Sequence, residues 1–201
     1  MAARSSRPLL LIAAFAASLA LSLALALWLV SGDSRSTGSG IAKAVIGGPF
    51  ELTDHTGRTV TERDLKGRPT LLFFGFTHCP DVCPTTLFEV SELLRALGPE
   101  ADKLGAYFVS VDPERDTPAS MKDYLGSFDP HLKGLAGSAE ATAKIVAAYR
   151  VYAKKVPLAG GDYTMDHTAL VYLLDRDGKF IAPFNLKRPV VEQVSDLKRY
   201  L

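Results

Sequence analysis

The chain has 201 residues, 47% hydrophobic and 22% charged, with a mean hydropathy of +0.11. That pairing implies an ordinary folded domain joined to one very apolar segment. Two cysteines exclude a disulfide-rich scaffold and a four-thiolate zinc site; setting aside Arg4 and Arg7 leaves 23 − 2 = 21 basic against 22 acidic residues, too even a balance for a nucleic-acid binder that works by charge.

Leu9–Val30 is a run of 22 residues without a charge. As a helix it would reach about 33 Å at ~1.5 Å per residue, enough to cross a hydrocarbon core of ~30 Å. It is longer than the ~7–15 apolar residues of a cleavable signal peptide, and Ala24-Leu25-Ala26 lies inside the run rather than beyond it. A transmembrane signal anchor over 9–30 is expected, with Trp28 at the membrane interface. Arg4 and Arg7 hold residues 1–8 in the cytoplasm by the positive-inside rule and export the chain beyond residue 30. Eight residues leave no room for an Arg- and Ser-rich mitochondrial presequence, so the expected setting is a bacterial inner membrane with the folded part in the periplasm. Residues 31–46 read as a flexible linker, since Ser31–Gly40 alone holds four Ser and three Gly. Residues 47–201 are long enough for one core.

Phe50-Glu51-Leu52-Thr53 alternates, turns at His55-Thr56-Gly57 and continues through Thr59-Val60-Thr61, a predicted hairpin. Leu71–Phe76 is a continuous apolar run, the pattern of a strand buried on both faces. Leu87, Val90, Leu94 and Leu97 recur at helical spacing up to the stop signal Gly98-Pro99. Ala106–Val111 repeats the buried-strand pattern. Thr117-Pro118 supplies an N-cap and a first-turn proline for a helix with Met121, Tyr124, Leu125 and Phe128 on its apolar face. A further helix is predicted from Ser138 to about Tyr149. Ala169–Leu174, a turn at Asp175–Gly178, and Lys179–Phe184 make a second hairpin. Pro189 starts a last helix whose Val190, Val194, Leu197 and Leu201 share a face. This order predicts an α/β domain of thioredoxin-like (peroxiredoxin-like) layout with an N-terminal hairpin: a partly parallel sheet covered on both faces, preceded by one transmembrane helix.

Open α/β sheets place their working sites at the carboxyl ends of strands. Both cysteines come after Phe76 there, in Phe76-Thr77-His78-Cys79-Pro80-Asp81-Val82-Cys83-Pro84. Thiols at a helix N-terminus are expected to be acidified. Two neighbouring soft sulfurs suit a soft ion, Cu(I) above all, or thiol–disulfide exchange. The plainer readings are two buried apolar thiols or a stabilising disulfide, although closing so short a loop removes little chain entropy. A copper ion would need a further ligand. His167, in Tyr163-Thr164-Met165-Asp166-His167-Thr168, enters the strand Ala169–Leu174, and in a thioredoxin-like layout that loop packs beside the cysteine loop. Asp166 is the expected acceptor for its other ring nitrogen. His78 abuts Cys79 and Met165 carries a thioether, so both compete as ligands; loop or core packing is the plainer role for each. His55 and His131 read as solvated loop residues. Asp112, Glu114, Arg115 and Asp116 form a charged cluster after the second buried strand, either a salt-bridged loop or a docking face.

Three motifs in this order carry a resemblance: Gly75-Phe76-Thr77-His78-Cys79-Pro80-Asp81-Val82-Cys83-Pro84, then Val111-Asp112-Pro113-Glu114-Arg115-Asp116-Thr117-Pro118, then Asp166-His167 with Tyr172-Leu173-Leu174-Asp175. From about Gly47 to the C-terminus the chain resembles the Sco/SenC family. The resemblance implies a thioredoxin-like domain that binds copper through two Cys and one His, by motif Cys79, Cys83 and His167. It implies a role in maturing the dinuclear copper site of cytochrome c oxidase subunit II. The expected function is thus a membrane-anchored periplasmic copper metallochaperone, carrying Cu(I) with Cu(II) left open. Its expected partners are that subunit or a similar copper acceptor, a periplasmic copper donor, and the membrane through residues 9–30. The alternative is an enzyme, a thiol–disulfide oxidoreductase that uses Cys79 and Cys83 to reduce the acceptor's cysteines. A peroxidase fits less well, because peroxide chemistry wants one activated thiol beside a cation.

Overall fold

The computed structural model describes residues 17–28 and 45–201, in two compact units divided between Ala44 and Val45. The first unit contributes helix α1 over residues 17–28, with Leu19, Leu21, Leu23, Leu25 and Trp28 exposed. The described stretch spans about 18 Å at ~1.5 Å per residue. Among the described residues no helix is long and apolar enough to cross a membrane. The rest of the predicted span 9–30, the N-terminal residues 1–8 and residues 31–44 of the linker lie outside the described residues.

The second unit is built on a seven-stranded sheet of order β2-β1-β5-β4-β3-β8-β9. Its centre is β3 (Thr70–Gly75) and β4 (Gly105–Ser110), both buried at every position, as two-sided apolar runs require. They pair in parallel, Leu72 opposite Tyr107 and Phe74 opposite Val109. The helix between them, α2 (Val82–Leu97), buries Leu87, Val90, Leu94 and Leu97, the predicted stripe. Gly98-Pro99 ends α2, but the chain continues into a 3-10 helix, Gly98–Lys103, rather than a loop.

The N-terminal hairpin is β1 (Glu51–Asp54) with β2 (Thr59–Thr61), in register Leu52 to Val60. Asp54 closes its turn: its Oδ1 accepts from the backbone N–H groups of Thr56 and Arg58. Helix α3 (Pro118–Leu125) starts with a reciprocal capping box between Thr117 and Ser120. Helix α4 (Ala139–Ala148) is capped by Ser138. The C-terminal strands β8 (Val171–Leu174) and β9 (Phe180–Phe184) form the second predicted hairpin, and β8 adds antiparallel to β3. In the last helix, α5 (Val190–Lys198), the buried positions are Gln193 and Leu197, while Val190 is 38% exposed. Gln193 takes the core position because its Nε2 donates to the carbonyls of Leu186 and Arg188, which holds the entry to α5.

Three strands escape the sequence patterns. β5 (Leu132–Ala136), Leu-Lys-Gly-Leu-Ala, lies between β1 and β4 and pairs with both. Its own residues carry little strand signal; two ready-made partners recruit it, a tertiary effect. The other two, β6 (Ala153–Pro157) and β7 (Tyr163–His167), form a separate two-stranded ribbon. Most of its residues are partly or fully exposed, so no buried apolar alternation marks it.

The topology collects the three motifs at one end of the sheet. β3 and β4 run parallel, so the cysteine segment and residues 111–117 both leave at the same end. β8 is antiparallel to β3, with Val171 opposite Phe73, so the chain that enters β8 from His167 arrives at that end too.

Candidate metal centre

Cys83 is the second residue of α2 and is fully buried. It lies under the last residue of β3. A Cβ added to Gly75 would sit 2.7 Å from Cys83 Sγ and 2.6 Å from the Phe108 ring, so only glycine leaves room for the sulfur here. The sequence motif contains Gly75, but sequence reasoning gives it no task. The available signal is a lone glycine ending an apolar strand, a mark of close approach.

Cys79 precedes the helix and is buried to 9% exposure. Asp81 occupies the N-cap of α2 without a side-chain cap bond. Cys79 Sγ fills the gap by accepting from the Cys83 N–H at 3.4 Å. That bond draws the first sulfur back over the helix start, toward the second. Both thiols are unbonded.

His167 ends β7. Its ring meets Phe76 edge-on, with centroids 5.8 Å apart, and Phe73 at 6.3 Å. Its Nδ1 lies 3.2 Å from the Thr168 carbonyl, an oxygen that can only accept, so Nδ1 carries the proton. Nε2 is left with a lone pair, and it lies 3.5 Å from Cys83 Sγ. Burial holds the imidazole below the usual histidine range, which keeps it neutral near pH 7. Asp166, the expected acceptor, is exposed and does not take that role; the Thr168 carbonyl does.

The two sulfurs and a nitrogen of His167 all lie within 4.8 Å of one another. Sulfur and imidazole donors bind an ion of this size at about 2.0–2.3 Å, so donors of one ion stand at most ~4.6 Å apart. The group therefore needs only small adjustments to share an ion. Two sulfurs and one neutral nitrogen, with no carboxylate among them, favour a soft, thiophilic metal. The expected acidification fails for Cys83. Burial pushes the Cys83 thiol far above its ordinary range. A bound cation would reverse that, since coordination deprotonates a thiol.

The remaining sequence candidates are distributed elsewhere. His78 is exposed, contacts Thr77 Oγ1 at 3.1 Å and is not one of the three grouped donors. Met165 is packed against the core. His131 and His55 lie in turns and are partly exposed, as expected, but both are hydrogen-bonded. His131 bridges Asp129 and Asp102, and His55 Nδ1 accepts from the Gly134 N–H. The charged cluster is bonded within itself and to its neighbours: Arg115 pairs with Asp112, Glu114 with Lys155, and Asp116 with Thr77 and Ser110. The groove lined by Pro49, Phe50, Glu51, Ser138, Glu140, Ala141 and Lys144 shares no residue with the sulfur–imidazole group.

The SCO1/SenC family model matches residues 39–201. The human mitochondrial protein SCO1 homolog is 42% identical over 147 residues, which cover 72% of this chain and 49% of that protein. The bovine mitochondrial SCO2 homolog is 40% identical over 172 residues, 84% of this chain and 64% of the relative. The chain thus spans about half to two thirds of these relatives' length. The copper-bound structure of Bradyrhizobium japonicum ScoI is 68% identical, with a TM-score of 0.76, covering 78% of this chain and 99% of that one. The structure of BsSco, described as a member of the Sco family of cytochrome c oxidase assembly proteins and as carrying a disulfide switch, is 25% identical with a TM-score of 0.62, covering 79% and 94%.

Proposed function

The chain belongs to the SCO1/SenC family, and from that premise we propose that it is a membrane-anchored copper carrier that serves the assembly of cytochrome c oxidase. One observation carries the reading: two thiol sulfurs and an imidazole nitrogen, from segments more than 80 residues apart in the chain, stand within 4.8 Å of one another at the carboxyl end of β3. Copper here is cargo. Cys79 and Cys83 supply the soft sulfurs, and His167 offers Nε2 because its proton is committed to Thr168. Three donors leave an ion open to an incoming thiolate, so it can pass on by ligand exchange. The acceptor we propose is the dinuclear copper site of oxidase subunit II or a similar site, and a periplasmic donor loads this chain in turn. Residues 9–30 anchor the chain in a bacterial inner membrane, and residues 31–46 tether the domain on the periplasmic side. Tethering raises its effective concentration at a membrane-bound acceptor.

The test is an anaerobic titration of the reduced full chain, in mild detergent, with Cu(I) against a chelating competitor. One equivalent binds tightly, and Cys79→Ser or Cys83→Ser abolishes the site. Tight binding that survives either substitution overturns the proposal. The adjacency of the unbonded sulfurs also supports the second reading, thiol–disulfide exchange with the acceptor's cysteines. In that reading Cys79, the more accessible sulfur, attacks, and Cys83 resolves the mixed disulfide. Exchange with an oxidised acceptor peptide that is fast and indifferent to His167→Ala would favour the oxidoreductase.

A further inference from the structure

Within the charged cluster after β4, the Glu114 side chain is 63% exposed, whereas Asp112 and Arg115 turn inward. The Asp112 side chain is 2% exposed and that of Arg115 16%. Arg115 instead reaches the ribbon. Its Nε donates to Asp112 Oδ2 at 2.6 Å, and its Nη1 donates to the carbonyl of Tyr163 at 2.9 Å and to Asp162 Oδ1 at 3.3 Å. The guanidinium lies over the Tyr163 ring, 3.7 Å from its centroid. The Tyr163 hydroxyl donates back to Asp112 Oδ1 at 2.8 Å, closing a ring of contacts between the loop and the first residue of β7. Lys155 on β6 adds a bond to Glu114 and a cation over the same tyrosine ring.

Tyr163 and His167 begin and end β7. Residues i and i+4 of a strand share a face, so with Met165 these two line one side of the ribbon, roughly 13 Å apart at ~3.3 Å per residue. The base of the ribbon is tied by Tyr152 and Thr168, whose backbones and hydroxyl exchange two hydrogen bonds. The clamp at Tyr163 holds the far end. A second route runs through rings: the Arg115 guanidinium lies 5.7 Å from the Phe76 centroid, and the same Phe76 meets the His167 ring edge-on.

We propose that Arg115, clamped between Asp112 and Tyr163, is a positioning residue for His167, fixing the tilt of the β6–β7 ribbon and so the approach of Nε2 to the two sulfurs. This rests on reading His167 as a ligand, and two separate measurements keep the questions apart. The first uses the metal-free, reduced full chain in mild detergent. Hydrogen exchange followed by mass spectrometry speeds up over residues 153–168 in Arg115→Met, while residues 71–83 keep their protection. The second is Cu(I) competition. Arg115→Met weakens binding roughly 10–100-fold, the usual cost of losing a partner that orients a ligand, and has no further effect in a His167→Ala background. Arg115→Lys does not restore the parent values, because an ammonium can neither fork between two acceptors nor lie flat on the tyrosine. Tyr163→Phe removes one hydroxyl and gives the same pattern at smaller amplitude, which serves if Arg115→Met fails to fold. Unchanged exchange and affinity in both variants overturn the clamp, as does an equal loss of affinity with His167 already absent. If His167→Ala alone binds like the parent, the ligand reading fails, and the exchange experiment still decides whether Arg115 holds the ribbon.

Discussion

The sulfurs and the imidazole are held by two different kinds of structure. Cys79 and Cys83 hang from the end of β3, a strand paired on both sides and buried along its length, and Cys83 is wedged beneath Gly75. His167 ends a ribbon that pairs with no strand of the main sheet. Two strands alone are marginal in water, so the ribbon keeps its place through the packing of Ala153 and Met165 against the core and through polar and ring contacts. Core packing makes the sulfur half of the site rigid. The imidazole half sits on a partly exposed ribbon, the kind of element from which local opening is drawn. For the proposed carrier this division would be useful, because a motion of the ribbon would withdraw the imidazole while the sulfurs stay in place.

Breaking the rigid half has the largest expected effect. Cys79→Ser and Cys83→Ser each remove a soft donor and abolish tight Cu(I) binding, with the fold retained in circular dichroism. Gly75→Ala comes next. Its methyl meets Cys83 Sγ and the Phe108 ring inside 3 Å, and overpacking of this kind costs about 1–3 kcal/mol. Urea unfolding will show that loss, together with weaker Cu(I) binding, because the sulfur itself must shift. An alanine at 75 that leaves both unchanged would mean that the close packing under β3 is not needed.

Away from the site, His131 sharpens the contrast by acting on stability alone. Its hydrogen bond to Asp129 holds its pKa above the ordinary value. A raised folded pKa means that its contribution is complete below the unfolded value of about 6.5 and fades as pH rises through the folded one. Thermal melts from pH 5.5 to 8.5 therefore lose stability that His131→Gln does not lose, by a small margin because the side chain is about one third exposed. Cu(I) affinity is unaffected. The smallest effect belongs to the ribbon's outer ion pair. Glu114→Gln removes the partner of Lys155 and costs about 0.2–1 kcal/mol or less, as exposed pairs do. Its only trace is a modest rise in hydrogen exchange over β6.

Legibility in the sequence divides along the same line. β3, β4 and α2 announce themselves by apolar runs and helical spacing, because two-faced burial leaves a pattern in the residues themselves. Cys79 and Cys83 can be placed at a strand end for that reason. The ribbon is invisible: Ala-Lys-Lys-Val-Pro has no apolar alternation, and β7 is held by Arg115 from a distant loop. His167 is reached by its place ahead of a buried strand and by its motif, not by any signal of β7 itself. The hydrogen bond that sets its tautomer cannot be read either. Asp166 offers a carboxylate one residue away, but alternation along the strand turns that side chain to the other face of the ribbon, and the Thr168 carbonyl accepts the Nδ1–H hydrogen bond instead. The acidity of Cys83 is misjudged for a related reason. The helix dipole is written in the sequence, while the desolvation of Cys83 depends on how tightly β3 and Phe108 close over it.

X-ray absorption at the copper edge of the Cu(I)-loaded, reduced full chain tests the shared site most directly. Two sulfurs and one nitrogen around copper are predicted, with the nitrogen lost and both sulfurs kept in His167→Ala. A spectrum that His167→Ala leaves unchanged, or one with a single sulfur in the parent, would contradict the account.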